Sequence, residues 1–202
     1  MKRIGIIGGT FNPLHNGHLF IAEEIRFAFN LSKVIFVPNK IPPHKNEIIE
    51  NTDHRWNMLN LGISSNQFFE SSRIELDRTR ISYSVDTIRY FYNIYQNNPL
   101  FFITGLDALL NYSWHNFEEI IELVENFIAV SRPGYSGKRF QDKIKKLYPL
   151  CLNKIIQFDI LLLEISSTNI RERLYKGKSI KYLVPESIEK YILDNRLYLD
   201  KR

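Results

Sequence analysis

Two short stretches at opposite ends of this 202-residue chain hold residues whose types and spacing could do chemistry. The first runs Gly8-Gly9-Thr10-Phe11-Asn12-Pro13-Leu14-His15-Asn16-Gly17-His18. Paired glycines let an anion approach the main chain with no Cβ in the way. Amide groups at the start of a following helix favour negative charge there. His15 and His18 stand three residues apart, which on a first helical turn puts both imidazoles on one side. Imidazole donors beside such a turn suit a polyphosphate, and can stabilise charge on phosphoryl oxygens as a leaving group departs. Zinc is the competing reading for two histidines at this spacing. No cysteine or third histidine stands nearby, His44, His54 and His115 being distant in sequence. The stretch is neither the Gly-x-Gly-x-x-Gly dinucleotide fingerprint nor a P-loop.

The second stretch is Ile165-Ser166-Ser167-Thr168-Asn169-Ile170-Arg171. Hydroxyl residues just ahead of a helical pattern serve as N-caps. Three in a row followed by an arginine exceed that need, and can aim hydroxyls, amides and a guanidinium at a second phosphate.

Positioning these stretches requires strands that end in turns. Arg3 to Gly8 is an isoleucine-rich run closed by Gly8-Gly9, the pattern of a buried parallel strand. Leu19, Ile21, Ala22, Ile25 and Phe29 then recur at helical spacing, and Val34 to Pro38 reads as a second strand ended by proline. A βαβ unit follows from that order. The alternation predicts helices over 53–61, 84–95 and 117–123, and strands over 72–76, 100–104, 126–131 and 155–158. Two last helices are expected over 168–176 and 185–193, proline being well placed to open the second. With no repeat and no linker, the expectation is one α/β domain over 1–202 with a doubly wound parallel sheet. Its C-terminal helical part, from about 165, carries the second motif. Such sheets bind ligands at the carboxyl ends of their strands.

Composition agrees with this architecture and excludes others. Hydrophobic residues make up 44%, enough for a core without disulfides, and Cys151 is the one cysteine. The opening apolar run breaks at glycines before a secretory segment is complete, and no run approaches membrane-spanning length. A soluble, cytoplasmic protein is therefore expected, with no membrane partner. The net charge of +5 is scattered, Lys143, Lys145 and Lys146 forming the densest group. It is compatible with phosphate ligands. The abundant aromatics sit in apolar runs rather than on a basic face, which argues against a nucleic-acid partner.

Taken together, the two motifs resemble those of the His-x-Gly-His nucleotidyltransferases, and most closely the bacterial nicotinate mononucleotide adenylyltransferases. The resemblance extends through Pro38 to Lys45, Ser82 to Thr87, Phe101 to Asp107, Trp114, Ser131 to Gly134, Ile165 to Arg171 and Tyr182 to Pro185. Asn12 stands where that family usually has aspartate, and Ser84 where it usually has threonine. The resemblance implies a Rossmann-like nucleotidyltransferase fold and the transfer of AMP from ATP to nicotinate mononucleotide, with Mg²⁺ carried mainly on the ATP phosphates and no metal ligands from the protein. It implies that His18 contacts the α-phosphate and His15 holds the triphosphate, with Gly8, Gly9, Thr10 and Phe11 forming the turn. Ser166, Ser167, Thr168, Ile170 and Arg171 would hold the outgoing phosphates, and Gly105 and Asp107 would meet the adenosine. Trp114, Ser84, Lys45 and Arg132 are the acceptor candidates. The alternatives are another phosphorylated acceptor (nicotinamide mononucleotide or phosphopantetheine), or a nucleotide-binding regulator without catalysis. The oligomeric state stays open, a homodimer among the options.

Overall fold

The computed structural model describes residues 1–40, 50–79, 82–111, 113–131, 142, 144–160 and 164–199. Six strands, β1 (Ile4–Gly9), β2 (Lys33–Pro38), β3 (Phe69–Ser71), β4 (Leu100–Gly105), β5 (Asn126–Ser131) and β6 (Ile155–Asp159), form one sheet in the order β3-β2-β1-β4-β5-β6. Every pairing is parallel. The helices are α1 (Asn16–Ala28), α2 (Thr52–Ile63), α3 (Ser84–Ile94), α4 (Leu106–Asn111), α5 (Phe117–Leu123), α6 (Ser167–Tyr175) and α7 (Glu186–Asp194). This is the Rossmann order, in which the chain reverses direction across the sheet between β1 and β4.

Side chains alternate along each central strand, and both faces are covered. Val34 and Phe36 of β2 pack on one side with Phe101, Ile103 and Ile128, beneath α1, α2, α6 and α7. Ile35 and Val37 pack on the other with Ile6, Phe102, Phe127 and Ala129, beneath α3, α4 and α5. Burying an Ile or Phe side chain fully is worth about 1.5–3 kcal/mol, so two such layers fix the strand order firmly. Gly62 of α2 permits close packing on the first layer. A Cβ there would lie 2.6 Å from Leu14 and 2.7 Å from Ile188.

One expected strand is misplaced. The edge strand is Phe69–Ser71, and Ser72 to Leu76 lies beyond it as irregular chain running into a turn. Phe69 fills the first core layer and pairs with Val34, so burial of that ring chose the register. Helix α4, unexpected from the sequence, begins directly at the end of β4. No helix among the described residues is long and apolar enough to cross a membrane.

Candidate active site

β1 and β4 run in register only from Ile4↔Leu100 to Ile7↔Ile103. Beyond that point β1 stays with β2 as far as Gly9↔Pro38, and β4 with β5 as far as Gly105↔Val130. The two strands therefore part, and a crevice opens between their carboxyl ends. The cavity there has a volume of about 320 Å³. Gly8, Phe11, His18, Gly105 and Asp107 line it, together with Thr104 and Ser131. At Gly8 and Gly105 an added Cβ would meet nothing within 4 Å, so a ligand can reach both main chains.

The turn after β1 is tightly wound. Phe11 is buried at φ 47°. Its ring lies so close over Gly9 that a Cβ on Gly9 would sit 2.8 Å from it. That ring meets the His18 ring edge-on at 5.1 Å. His15 caps α1 in an extended conformation and stacks on His18 at 3.6 Å. The His15 amide donates to Nδ1 of His18 at 3.3 Å. An accepting Nδ1 assigns the ring proton to Nε2, a nitrogen suited to donate to a phosphoryl oxygen. Burial lowers the His15 pKa to about 4, so this imidazole is neutral near pH 7. It is a hydrogen-bonding group and not a cation.

The second motif folds onto the first. Ser166 is the N-cap of α6 and accepts from the Asn169 amide at 3.1 Å, so its hydroxyl does serve capping. Ser167 instead donates to the Pro13 carbonyl at 2.9 Å, across 154 residues of sequence. Arg171 donates to the Asn12 carbonyl at 2.9 Å and to the Thr168 hydroxyl at 3.3 Å. Ile170 is fully buried and anchors the helix. Asn16, at the start of α1, is tied to the C-terminal half as well, through Leu183 O at 2.9 Å and Tyr182 O at 2.7 Å. The N-termini of α1 and α6 thus converge. Neither carries an acid in its first turn, whereas α2, α3, α4, α5 and α7 each do. Two adjacent amide-rich, acid-free helix ends attract anions.

The acceptor candidates fall into two groups. Lys45 and Arg132 lie outside the described residues. Ser84 opens α3, and Trp114 packs edge-on to Phe102 and Phe127 while its indole N–H donates to Ala108 O at 3.1 Å. Neither lines the cavity, but the two segments are neighbours, since Tyr83 lies over His115 at 4.5 Å. Sequence reasoning missed the buried Ser131, which donates to Asp159 at the cavity wall, and the contacts made by Asn12. The Asn12 Oδ1 accepts from Tyr198 at 2.8 Å and from the Glu50 amide at 3.3 Å.

Residues 6–173 match the cytidylyltransferase-like family. The chain belongs to that family, in its nicotinate-nucleotide adenylyltransferase branch. A probable nicotinate-nucleotide adenylyltransferase of Thermoanaerobacter is 46% identical over 97% of this chain and 94% of its own length. The nicotinate-nucleotide adenylyltransferase of Bacillus subtilis is 41% identical over 98% of this chain and 99% of its own. Among solved structures, the Plasmodium falciparum nicotinic acid mononucleotide adenylyltransferase complexed with NaAD superposes with a TM-score of 0.79, each chain being 98% covered. At 20% identity that likeness shows that this branch member has the same fold.

Proposed function

We propose that this adenylyltransferase moves AMP from ATP to nicotinate mononucleotide, yielding nicotinate adenine dinucleotide and pyrophosphate, a step of NAD biosynthesis. The observation that carries the reading is the junction of the two phosphate motifs. Arg171 and Ser167 bond the main chain of the first turn, so one triphosphate can span both helix N-termini. The naming of the near full-length relatives supports nicotinate mononucleotide as the acceptor.

In this scheme a phosphate oxygen of the acceptor attacks the α-phosphorus, the bond to the β-phosphate oxygen breaks, and pyrophosphate leaves. The acceptor phosphate is already anionic, so catalysis consists of orientation and charge stabilisation. His18 would donate from Nε2 to the α-phosphate. His15, Gly8, Gly9, Thr10 and Phe11 would hold the triphosphate from one side, and Ser166, Ser167, Thr168, Ile170 and Arg171 from the other. Gly105 and Asp107 would border the adenosine. Ser84, Trp114, Lys45 and Arg132 would serve the acceptor. Among the described residues no three His, Cys, Asp or Glu side chains gather where they could hold a metal. Mg²⁺ would enter as part of the substrate, on the ATP phosphates with its waters. The whole chain would act as one unit, with the part from about 165 supplying the second motif.

Pyrophosphate release with ATP and Mg²⁺, comparing nicotinate with nicotinamide mononucleotide, tests the reading. Release with the acid alone is expected. Equal release with both would remove the acid preference. Release with neither would move the reaction to another phosphorylated acceptor such as phosphopantetheine, or leave a nucleotide-binding regulator.

A further inference from the structure

Arg55, in the first half of α2, is fully buried. A guanidinium withdrawn from water is costly to hold, and buried charges are normally paired with carboxylates. Here every nitrogen of the guanidinium group donates to a main-chain carbonyl. Nη1 donates to Thr10 O at 2.8 Å and to Asn39 O at 2.9 Å. Nε donates to Glu50 O at 3.1 Å, and Nη2 to Lys40 O at 3.4 Å. Three separate segments meet on this one side chain: the turn after β1, the chain leaving β2, and the residue leading into α2. The Asn39 amide closes the arrangement by donating to Gly9 O at 3.0 Å.

We infer that Arg55 is a positioning residue for the phosphate-binding turn, setting the peptide that joins Thr10 to Phe11. A trans peptide is planar, with its C=O and N–H on opposite sides. Holding Thr10 O against Arg55 therefore turns the Phe11 N–H to the opposite side. Phe11 sits at φ 47°, a conformation that persists in a side-chain-bearing residue only where surrounding contacts enforce it. The Phe11 ring in turn abuts His18, and both line the crevice. A rotation of the Thr10–Phe11 peptide would therefore displace the turn amide and the His18 ring together. Arg55 touches neither substrate nor the reacting atoms, and acts through that peptide.

The inference rests on reading this turn as the phosphate site, so its test uses inorganic tripolyphosphate, which needs that site but no acceptor. Calorimetric titration of the full-length protein and of Arg55→Lys is the experiment, beside kcat and thermal melts of both. The lysine keeps the charge but cannot reach the same carbonyls with a planar fork. Arg55→Lys is expected to bind tripolyphosphate and to turn over roughly 10–100-fold more weakly per folded molecule, the usual result of displacing a catalytic group by about 1 Å. A variant that melts earlier yet keeps wild-type affinity and kcat would make Arg55 purely structural and overturn the inference. Wild-type protein that ignores tripolyphosphate would overturn it too, whereas tripolyphosphate binding without AMP transfer would instead fault the proposed acceptor. Should Arg55→Lys not fold, nuclear magnetic resonance of the wild type decides. The Arg55 side-chain and Phe11 amide signals should shift together as tripolyphosphate is added, and an unmoved Arg55 signal would overturn the coupling.

Discussion

His15 and His18 are alike in the sequence and differ in the fold. His18 is half-buried at the crevice, with Nδ1 accepting from the His15 amide. Its Nε2 proton can therefore be offered to a phosphoryl oxygen without a tautomer change. Replacing one such donor usually lowers kcat by about 10²–10³, and this is the loss expected for His18→Ala. Turnover within a few-fold of wild type in a folded variant would take His18 out of that role. His15 is buried, and its pKa falls from 6.5 to about 4. Between those values the unfolded chain binds a proton that the folded chain refuses. Stability should therefore decline as pH drops from about 6.5 towards 4. Urea melts at pH 7 and pH 5 should show a smaller loss for His15→Gln than for wild type. Equal losses would place the acid sensitivity elsewhere.

At the scale of elements, the turn after β1 is held by segments remote in sequence. Tyr198, beyond α7, donates to Asn12 Oδ1, while Arg171 of α6 donates to Asn12 O. Burial raises the Tyr198 pKa, so the phenol stays a donor at all ordinary pH. Tyr198→Phe removes one buried hydrogen bond, leaving Oδ1 with the Glu50 amide. A loss of about 1 kcal/mol is expected, seen as a melting point lower by about 2–4 °C. An unchanged melt would show that the tail does not secure the turn. The two motifs were legible in the sequence because the phosphate-binding role proposed for them needs particular residue types: glycines, imidazoles, hydroxyls and a guanidinium. It also showed most strands, since runs such as Val34 to Val37 are buried on both faces. Ser72 to Leu76 misled because its alternation is strand-like, whereas pairing depends on the Phe69 ring reaching the core. Arg55 and Asn12 stayed hidden for a different reason. Arg55 meets main-chain carbonyls, which every residue possesses, and Asn12 meets Tyr198 and Arg171, remote in sequence, so no local side-chain pattern announces either.

For the molecule as a whole, the strand order decides where chemistry can occur. With β1 and β4 adjacent but diverging, the crevice lies at the sheet's centre, bordered by the turn after β1 and the ends of β4 and β5. Helix α6, from the far end of the chain, bonds the back of that turn. A triphosphate held, as proposed, both by the turn at Gly8 to His18 and by Ser166 to Arg171 would cross-link the two ends. Binding to the folded state alone stabilises it by about 2.7 kcal/mol at one hundred times Kd. For a chain of this size that raises the melting point by about 5–10 °C. ATP and pyrophosphate should both produce such a shift, whereas AMP, lacking the phosphates that bridge the motifs, should produce much less at the same concentration. Arg171→Ala should bring the ATP shift down to that of AMP, because the N-terminal turn would then hold the ligand without its C-terminal counterpart. If ATP still stabilised Arg171→Ala as it does the wild type, the triphosphate would be bound by the first motif alone. The meeting of α1 and α6 would then serve folding, and not the retention of the leaving group.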